Sequence, residues 1–164
     1  MTIKYSVQGL QGNYAKAYGR DLSISTKKSV EICNNIRDKP LKKAEQILEK
    51  AITKERPIVM KRYIRDAAHK KGMATGKYPV KAATSILKIL KNAESNAQNK
   101  GLSTKDMIVQ HIAAHKAATP WRFGRQRRRK MKRTHIEIVL LERKIPKETA
   151  KKSTKEKIQE IKND

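Results

Sequence analysis

Acidic and aromatic residues are scarce in this chain, and each scarcity excludes something. Fifteen Asp and Glu stand against forty Lys and Arg, a net charge of +25 in 164 residues. Self-repulsion on that scale disfavours an unaccompanied folded state, so a polyanion is the expected partner, with nucleic acid ahead of a membrane surface. No stretch reaches the roughly 20 apolar residues of a membrane span, and Met1-Thr-Ile-Lys-Tyr-Ser6 lacks the apolar centre of a secretion signal. A single cysteine, Cys33, excludes an internal disulfide. It falls on the apolar side of an expected helix, and the reading is a buried, inert thiol in a cytoplasmic protein.

Catalytic patterns are equally sparse. Gly72-Met-Ala-Thr-Gly76-Lys77-Tyr78 imitates a phosphate-binding loop, but the spacing is one residue short. No Ser or Thr follows the lysine, and no apolar strand leads in. His111 and His115 have a helical metal-ligand spacing, yet they close a strand-like segment without Cys or carboxylates at ligand spacing, which makes them structural or RNA-facing. Asp66 and His69 lack a nucleophile signature, and no carboxylate pair suggests a two-metal nuclease. No enzyme, no cofactor, no resident metal and no homo-oligomer are expected.

What is present is concentrated in one stretch. Residues 116–133 carry nine Lys or Arg and no acid, and they hold the chain's only Trp and only Phe, Trp121 and Phe123. Alone, such a segment cannot bury enough to fold. On either side lie Asp106-Met-Ile-Val-Gln-His-Ile-Ala-Ala114 and Thr134-His-Ile-Glu-Ile-Val-Leu-Leu141, both aliphatic, β-branched and alternating. The pattern predicts a long antiparallel hairpin with its base in a core and a basic, aromatic-marked finger at its tip. Aromatic rings stack on unpaired bases, and guanidinium planes stack while pairing with phosphate. Gly124 allows a close approach of the backbone or a turn with positive φ.

Ahead of the hairpin, the first fifteen or so residues read as a loosely held arm, followed by a short possible strand from Ala15 to Ile24. Ser25 or Thr26 can cap a helix over 27–37 with Val30, Cys33 and Ile36 as its stripe. Pro40 suits the first turn of a second helix bearing Leu41, Ala44, Ile47, Leu48, Ala51 and Ile52 on one face. Residues 58–78 read as an irregular basic connection, with a helical turn at 64–69. Pro79 opens the strongest helix, lined by Val80, Ala83, Leu87, Leu90, Ala93 and Ala97 and stopped at Asn99-Lys-Gly101. The division expected is one domain over 1–143 and a Lys- and Glu-rich tail over 144–164, either disordered or a marginal helix.

Six stretches in order carry a resemblance to a known family. They are Ala15-Lys-Ala-Tyr-Gly-Arg-Asp-Leu-Ser-Ile-Ser25, Lys39-Pro-Leu-Lys-Lys-Ala44, Ala74-Thr-Gly-Lys-Tyr-Pro-Val-Lys-Ala-Ala83, Leu90-Lys-Asn-Ala-Glu-Ser-Asn-Ala97, Phe123-Gly-Arg125 and Lys132-Arg-Thr-His-Ile-Glu-Ile-Val139. Together they resemble the large-subunit ribosomal protein 22 family, numbered 17 in eukaryotes, in its archaeal and eukaryotic form. The resemblance implies an α+β fold, a small antiparallel sheet packed on about three helices, with a long extended β-hairpin. It also implies a structural role, clamping large-subunit ribosomal RNA beside neighbouring ribosomal proteins, with the hairpin reaching the wall of the nascent-peptide exit tunnel. By motif, Phe123, Gly124 and Arg125 match the finger tip and residues 132–135 its returning arm. The rising arm, 116–121, is a few residues shorter than in many relatives. The tip expected to face the tunnel and the nascent peptide is Arg122, Phe123, Gly124, Arg125, Gln126 and Arg127. RNA contacts are expected from Lys27, Lys28, Lys61, Arg62, Lys70, Lys71 and Lys77 on the body. On the finger they are expected from Lys116, Trp121, Arg122, Phe123, Arg125, Arg127, Arg128, Arg129, Lys130, Lys132 and Arg133. The competing reading is a free-standing protein that condenses nucleic acid.

Overall fold

The computed structural model describes residues 5–10 and 12–143; the expected tail at 144–164 lies outside them. The elements run β1 (Tyr14–Leu22), α1 (Thr26–Ile36), α2 (Leu41–Ile52), β2 (Ile58–Val59), β3 (Gly76–Lys77), α3 (Val80–Asn99), β4 (Met107–Lys116) and β5 (Thr134–Glu142). β1, β5 and β4 form an antiparallel sheet with β5 in the centre. The fold is α+β, three helices against a small antiparallel sheet.

β5 explains the arrangement. Ile136, Ile138 and Leu140 point to the helices and are fully buried, while Glu137 and Val139 on the opposite face are buried too. A strand covered on both faces belongs in the middle of a sheet, where its backbone groups are paired on both sides. On β1 the inward residues are small, Ala15, Ala17 and Gly19, so α3 can lie close. A methyl group built on Gly19 would sit 2.3 Å from Ile89 Cδ1 and 3.1 Å from both Ile89 Cγ1 and Leu22 Cδ1. β4 carries a bulge between Val109 and His111, where the register shifts. The extra residue moves the inward set from Met107 and Val109 to Ile112, and turns His111 and His115 together to the outer face.

The helices follow their apolar periodicity. α2 buries Leu41, Ala44, Leu48 and Ala51, with Ile47 and Ile52 packed at the margin. α3 buries Ala83, Ile86, Leu90, Ala93 and Ala97, so its stripe is centred a little to one side of the expected line and leaves Leu87 at the edge. It ends in a Schellman motif. Gly101, at φ +72°, donates to the Gln98 carbonyl (2.8 Å), and Leu102 donates to Ala97 (3.1 Å). α1 buries Ile32, Cys33 and Ile36, with Val30 only half-covered. Burial pushes the Cys33 thiol up to about 12, in keeping with an inert core residue. Ser25 occupies the N-cap position of α1, but its side chain makes no capping bond.

Two expectations change. Residues 58–78 are not merely irregular: β2 and β3 pair antiparallel, Ile58 with Lys77 and Val59 with Gly76. The helical turn expected at 64–69 is instead a single hydrogen-bonded turn, Ala67 N–H to the Ile64 carbonyl, with Ile64 at φ +61°. Glu31 organises this region. It is buried and accepts backbone N–H bonds from Lys61 (3.0 Å), Arg62 (2.8 Å) and Tyr63. Three donors compensate for taking a carboxylate out of water. Gly76 of the phosphate-loop look-alike is a packing residue, because a methyl there would lie 2.8 Å from Met73 Sδ and 3.2 Å from Pro57 Cβ.

The second change concerns the N-terminal arm, which at Tyr5 and Ser6 is docked on the outer face of the sheet. Glu137 is only 1% exposed. It accepts bonds from the Ser6 N–H (3.1 Å), the Ser6 hydroxyl, His111 Nε2 (2.9 Å) and His115 Nε2 (3.1 Å). Its partner across the strands is the small Ala113, and the two histidines flank it from two residues either side. Tyr5 packs edge-on to Tyr18, and Tyr18 stacks on His135. Sequence spacing gave no sign of this cluster, since Ser6 is remote in the chain and Glu137 looks like an outward strand residue.

Two outcomes follow. Gly19→Ala should destabilise by about 1–2 kcal/mol through overpacking against Ile89, read as a lower urea midpoint; an unchanged midpoint would show that α3 does not need that close approach. For Glu137, burial opposes ionisation, but the bonds from Ser6, His111 and His115 outweigh it and hold the carboxyl at about 2, below its ordinary 4.5. The folded value lies below the unfolded one, so this stabilisation is complete above about pH 4.5 and is lost as pH falls towards 2. Between those limits the wild type should lose on the order of 2 kcal/mol, allowing for solvent screening. Glu137→Gln, weaker at neutral pH, should lack this part of the acid limb. Parallel acid limbs in the two proteins would contradict the assignment.

Candidate nucleic-acid interface

β4 and β5 pair from Met107–Glu142 to Lys116–Thr134, interrupted by the bulge between Val109 and His111. Beyond that point the chain leaves the sheet as a loop over 117–133, held by a few backbone bonds. Ala117 N–H donates to Arg133 (3.1 Å), Met131 to Pro120 (2.8 Å) and Arg122 to Arg129 (2.9 Å), with a bridge between Trp121 and Lys130. A short 3-10 turn, Gly124–Gln126, forms the end. Gly124 is there at φ +56°, the left-handed conformation its sequence position suggested. The strand ladder therefore does not run as a regular ribbon to the tip. Like-charged neighbours and the absence of alternating apolar residues give the loop too little cross-strand packing to hold one.

Every residue from 120 to 130 is exposed. Trp121 is 55% and Phe123 84% exposed, the two large apolar side chains left open to solvent among the described residues. Leaving aromatic rings in water is unfavourable unless a partner covers them. Lys130 Nζ lies 4.7 Å from the Trp121 ring centroid, a cation–π contact that pre-orders one ring of the loop. Arg127 Nε folds back to the Gly124 carbonyl at 3.3 Å. No Lys or Arg of the loop forms an ion pair among the described residues.

Most of the candidate residues fall into three groups. Lys28, Arg122, Lys130, Lys132 and Arg133 meet around one cavity at the base of the loop, beside the first residues of α1 and α3. Arg125, Arg127, Arg128 and Arg129 sit further out, with Phe123 and Gln126 at the turn. Lys61, Arg62, Lys70, Lys71 and Lys77 lie on and between β2 and β3, outside that cavity. There Arg62 lies over Tyr63 (5.4 Å) and Lys70 over Tyr78 (5.7 Å). Lys27 is exposed at the start of α1, and Lys116 is exposed at the end of β4. Sequence reasoning passed over Lys81, which also lines the cavity. Its own position, the second residue of α3, carries no local signal; what singles it out is the loop across the cavity.

His111 and His115 do share a face, through strand period rather than helical spacing, and both are engaged by Glu137. Among the described residues no group of three His, Cys, Asp or Glu is placed to hold a metal ion. No described helix is long and apolar enough to cross a membrane.

Comparison with known proteins gives this geometry its context. The family described as ribosomal protein L22p/L17e matches residues 17–141. The large ribosomal subunit protein uL22 of Methanocaldococcus jannaschii is 38% identical over 148 residues, covering 85% of this chain and 95% of that protein. Its namesake in Thermoplasma acidophilum is 38% identical over 143 residues, covering 84% and 94%. That of Methanosphaera stadtmanae is 43% identical over 134 residues, covering 77% and 87%. The match runs from β1 to β5 and includes the basic loop, and these relatives are covered almost end to end. This chain therefore belongs to the ribosomal protein L22p/L17e family, non-catalytic structural constituents of the large ribosomal subunit.

Proposed function

We propose that the chain clamps large-subunit ribosomal RNA in the cytoplasm, with the 117–133 loop as a finger that passes between RNA helices to the wall of the nascent-peptide exit tunnel. The observation that carries this reading is the loop itself, exposed at every residue from 120 to 130, free of carboxylates and tipped with solvent-open Trp121 and Phe123. Phosphates neutralise its cations, and unpaired bases cover its rings. Residues 1–143 act as one ribosomal-protein domain, with 144–164 as an appended charged tail.

Labour is divided between body and finger. Lys27, Lys28, Lys61, Arg62, Lys70, Lys71 and Lys77 make phosphate contacts that position the body without reading sequence. The finger adds Lys116, Arg128, Arg129, Lys130, Lys132 and Arg133 along its arms. Arg122, Phe123, Gly124, Arg125, Gln126 and Arg127 form the tip beside the nascent peptide. Neighbouring ribosomal proteins complete the surroundings.

A deletion separates these roles. Removing residues 122–130 and joining the arms with Asn-Gly leaves the core untouched, because nothing in that segment is buried. The shortened protein should fold and enter large subunits, since most of the positive charge lies outside the loop. Stalling on a nascent arrest peptide, or the action of a macrolide-type tunnel ligand, should change while bulk peptide-bond formation stays near normal. Failure to appear in purified subunits would contradict the division of labour. Incorporation with unchanged stalling would remove the tunnel role.

A further inference from the structure

The cavity at the base of the loop has a volume of about 600 Å³ and is lined by Lys28, Lys81, Arg122, Lys130, Lys132 and Arg133, with no Asp or Glu. Two of these cations belong to the body, at the starts of α1 and α3, and four belong to the loop. Two of the six are already engaged. Arg133 donates to the Asp21 carbonyl at 2.9 Å, and Lys130 lies over Trp121. The side chains of Lys28, Lys81, Arg122 and Lys132 have neither a hydrogen bond nor an ion pair among the described residues. Like charges facing one another across a cleft repel, so the Arg133–Asp21 bond is the one hydrogen bond among the described residues by which these six side chains hold the loop to the body. An anion in the cleft would reverse the sign of that interaction.

Resting on the RNA-binding reading above, we propose that this cleft takes one backbone phosphodiester of an RNA strand, and that this phosphate fastens the loop to the body. The two non-bridging oxygens of a phosphodiester can accept from both walls at once, Lys28 and Lys81 on one side and Arg122 and Lys132 on the other. The volume is that of a site for a small ligand or a nucleotide-sized segment. Neither adjoining helix start is satisfied by its own chain: Ser25 and Pro79 at the caps of α1 and α3 contribute no side-chain bond, and neither first turn contains an acid. Their unpaired backbone N–H groups add to the same field. The consequence is directional. Without the phosphate the loop is joined to the sheet through its two strands and the Arg133–Asp21 bond; with it, the base of the loop is fixed against α1 and α3 as well, and the finger acquires a set course.

The test uses the full chain and inorganic phosphate, with chloride at matched ionic strength as the control. Phosphate should shift the backbone amide resonances of residues 26–28 and 80–82 saturably, and should slow hydrogen exchange across 120–132 several-fold. Lys28→Gln with Lys81→Gln should weaken this response about tenfold, roughly 1.4 kcal/mol, and the corresponding double Arg variant should retain it. Lys42→Gln with Lys43→Gln, the same charge loss on exposed positions of α2, should alter it by less than about twofold, because those lysines lie outside the cleft. Equal weakening by both Gln pairs would reduce the effect to overall charge and overturn the proposal, as would shifts that fail to saturate or leave loop exchange unchanged. Because no RNA is present, that failure is distinct from failure of the parent chain to bind ribosomal RNA, which would overturn the function on which the cleft rests.

Discussion

Repulsion among the cations of the 117–133 loop is the constraint to which the rest of the structure answers. The loop holds no carboxylate and buries only Ala117, so it cannot generate its own order. Its geometry has to be imposed at the root. β4 and β5 do this by pairing over Met107–Lys116 and Thr134–Glu142, and β5 is the strand most completely enclosed. The loop is thus anchored in the most enclosed strand of the sheet, while its residues 120–130 are all exposed.

The body serves that anchorage in two ways. On the inner face, the small residues of β1 let α3 press on the sheet, and α1 and α2 close the remaining sides with aliphatic stripes. On the outer face, Glu137 gathers Ser6, His111 and His115 where helices are absent. A buried carboxylate is unfavourable unless donors surround it, and here they come from the N-terminal arm and from β4. Glu31 does the same elsewhere in the body, tying the β2–β3 region to α1. Two of the chain's few acids are thus used as internal fasteners rather than as surface counter-charges.

How far the sequence could be read follows from the range of the interactions involved. The helices over Leu41–Ile52 and Val80–Asn99 were legible because their apolar spacing is local and long, and Gly101 marks the end of the second. The strands around the loop were legible from alternation, although the bulge near Gln110 was not, since it depends on β5 as partner. The docking of Ser6 on Glu137 joins residues 131 apart, and no local pattern encodes it. Lys81 was overlooked for a related reason: its interest comes from the loop opposite, not from its own helix. The basic loop stood out by composition, and comparison placed the chain in its family; which residues touch RNA is a matter of the surface the folded body presents.

The central claim is that phosphate neutralisation, shared by loop and body, is what holds this protein on its RNA. Its most direct test is the affinity for large-subunit ribosomal RNA as a function of salt. If about six to ten phosphates are neutralised, the logarithm of the association constant should fall against the logarithm of salt concentration with a slope of roughly −4 to −9, depending on how single-stranded the site is. A slope near zero would mean that the cations are merely solvated and would contradict the account.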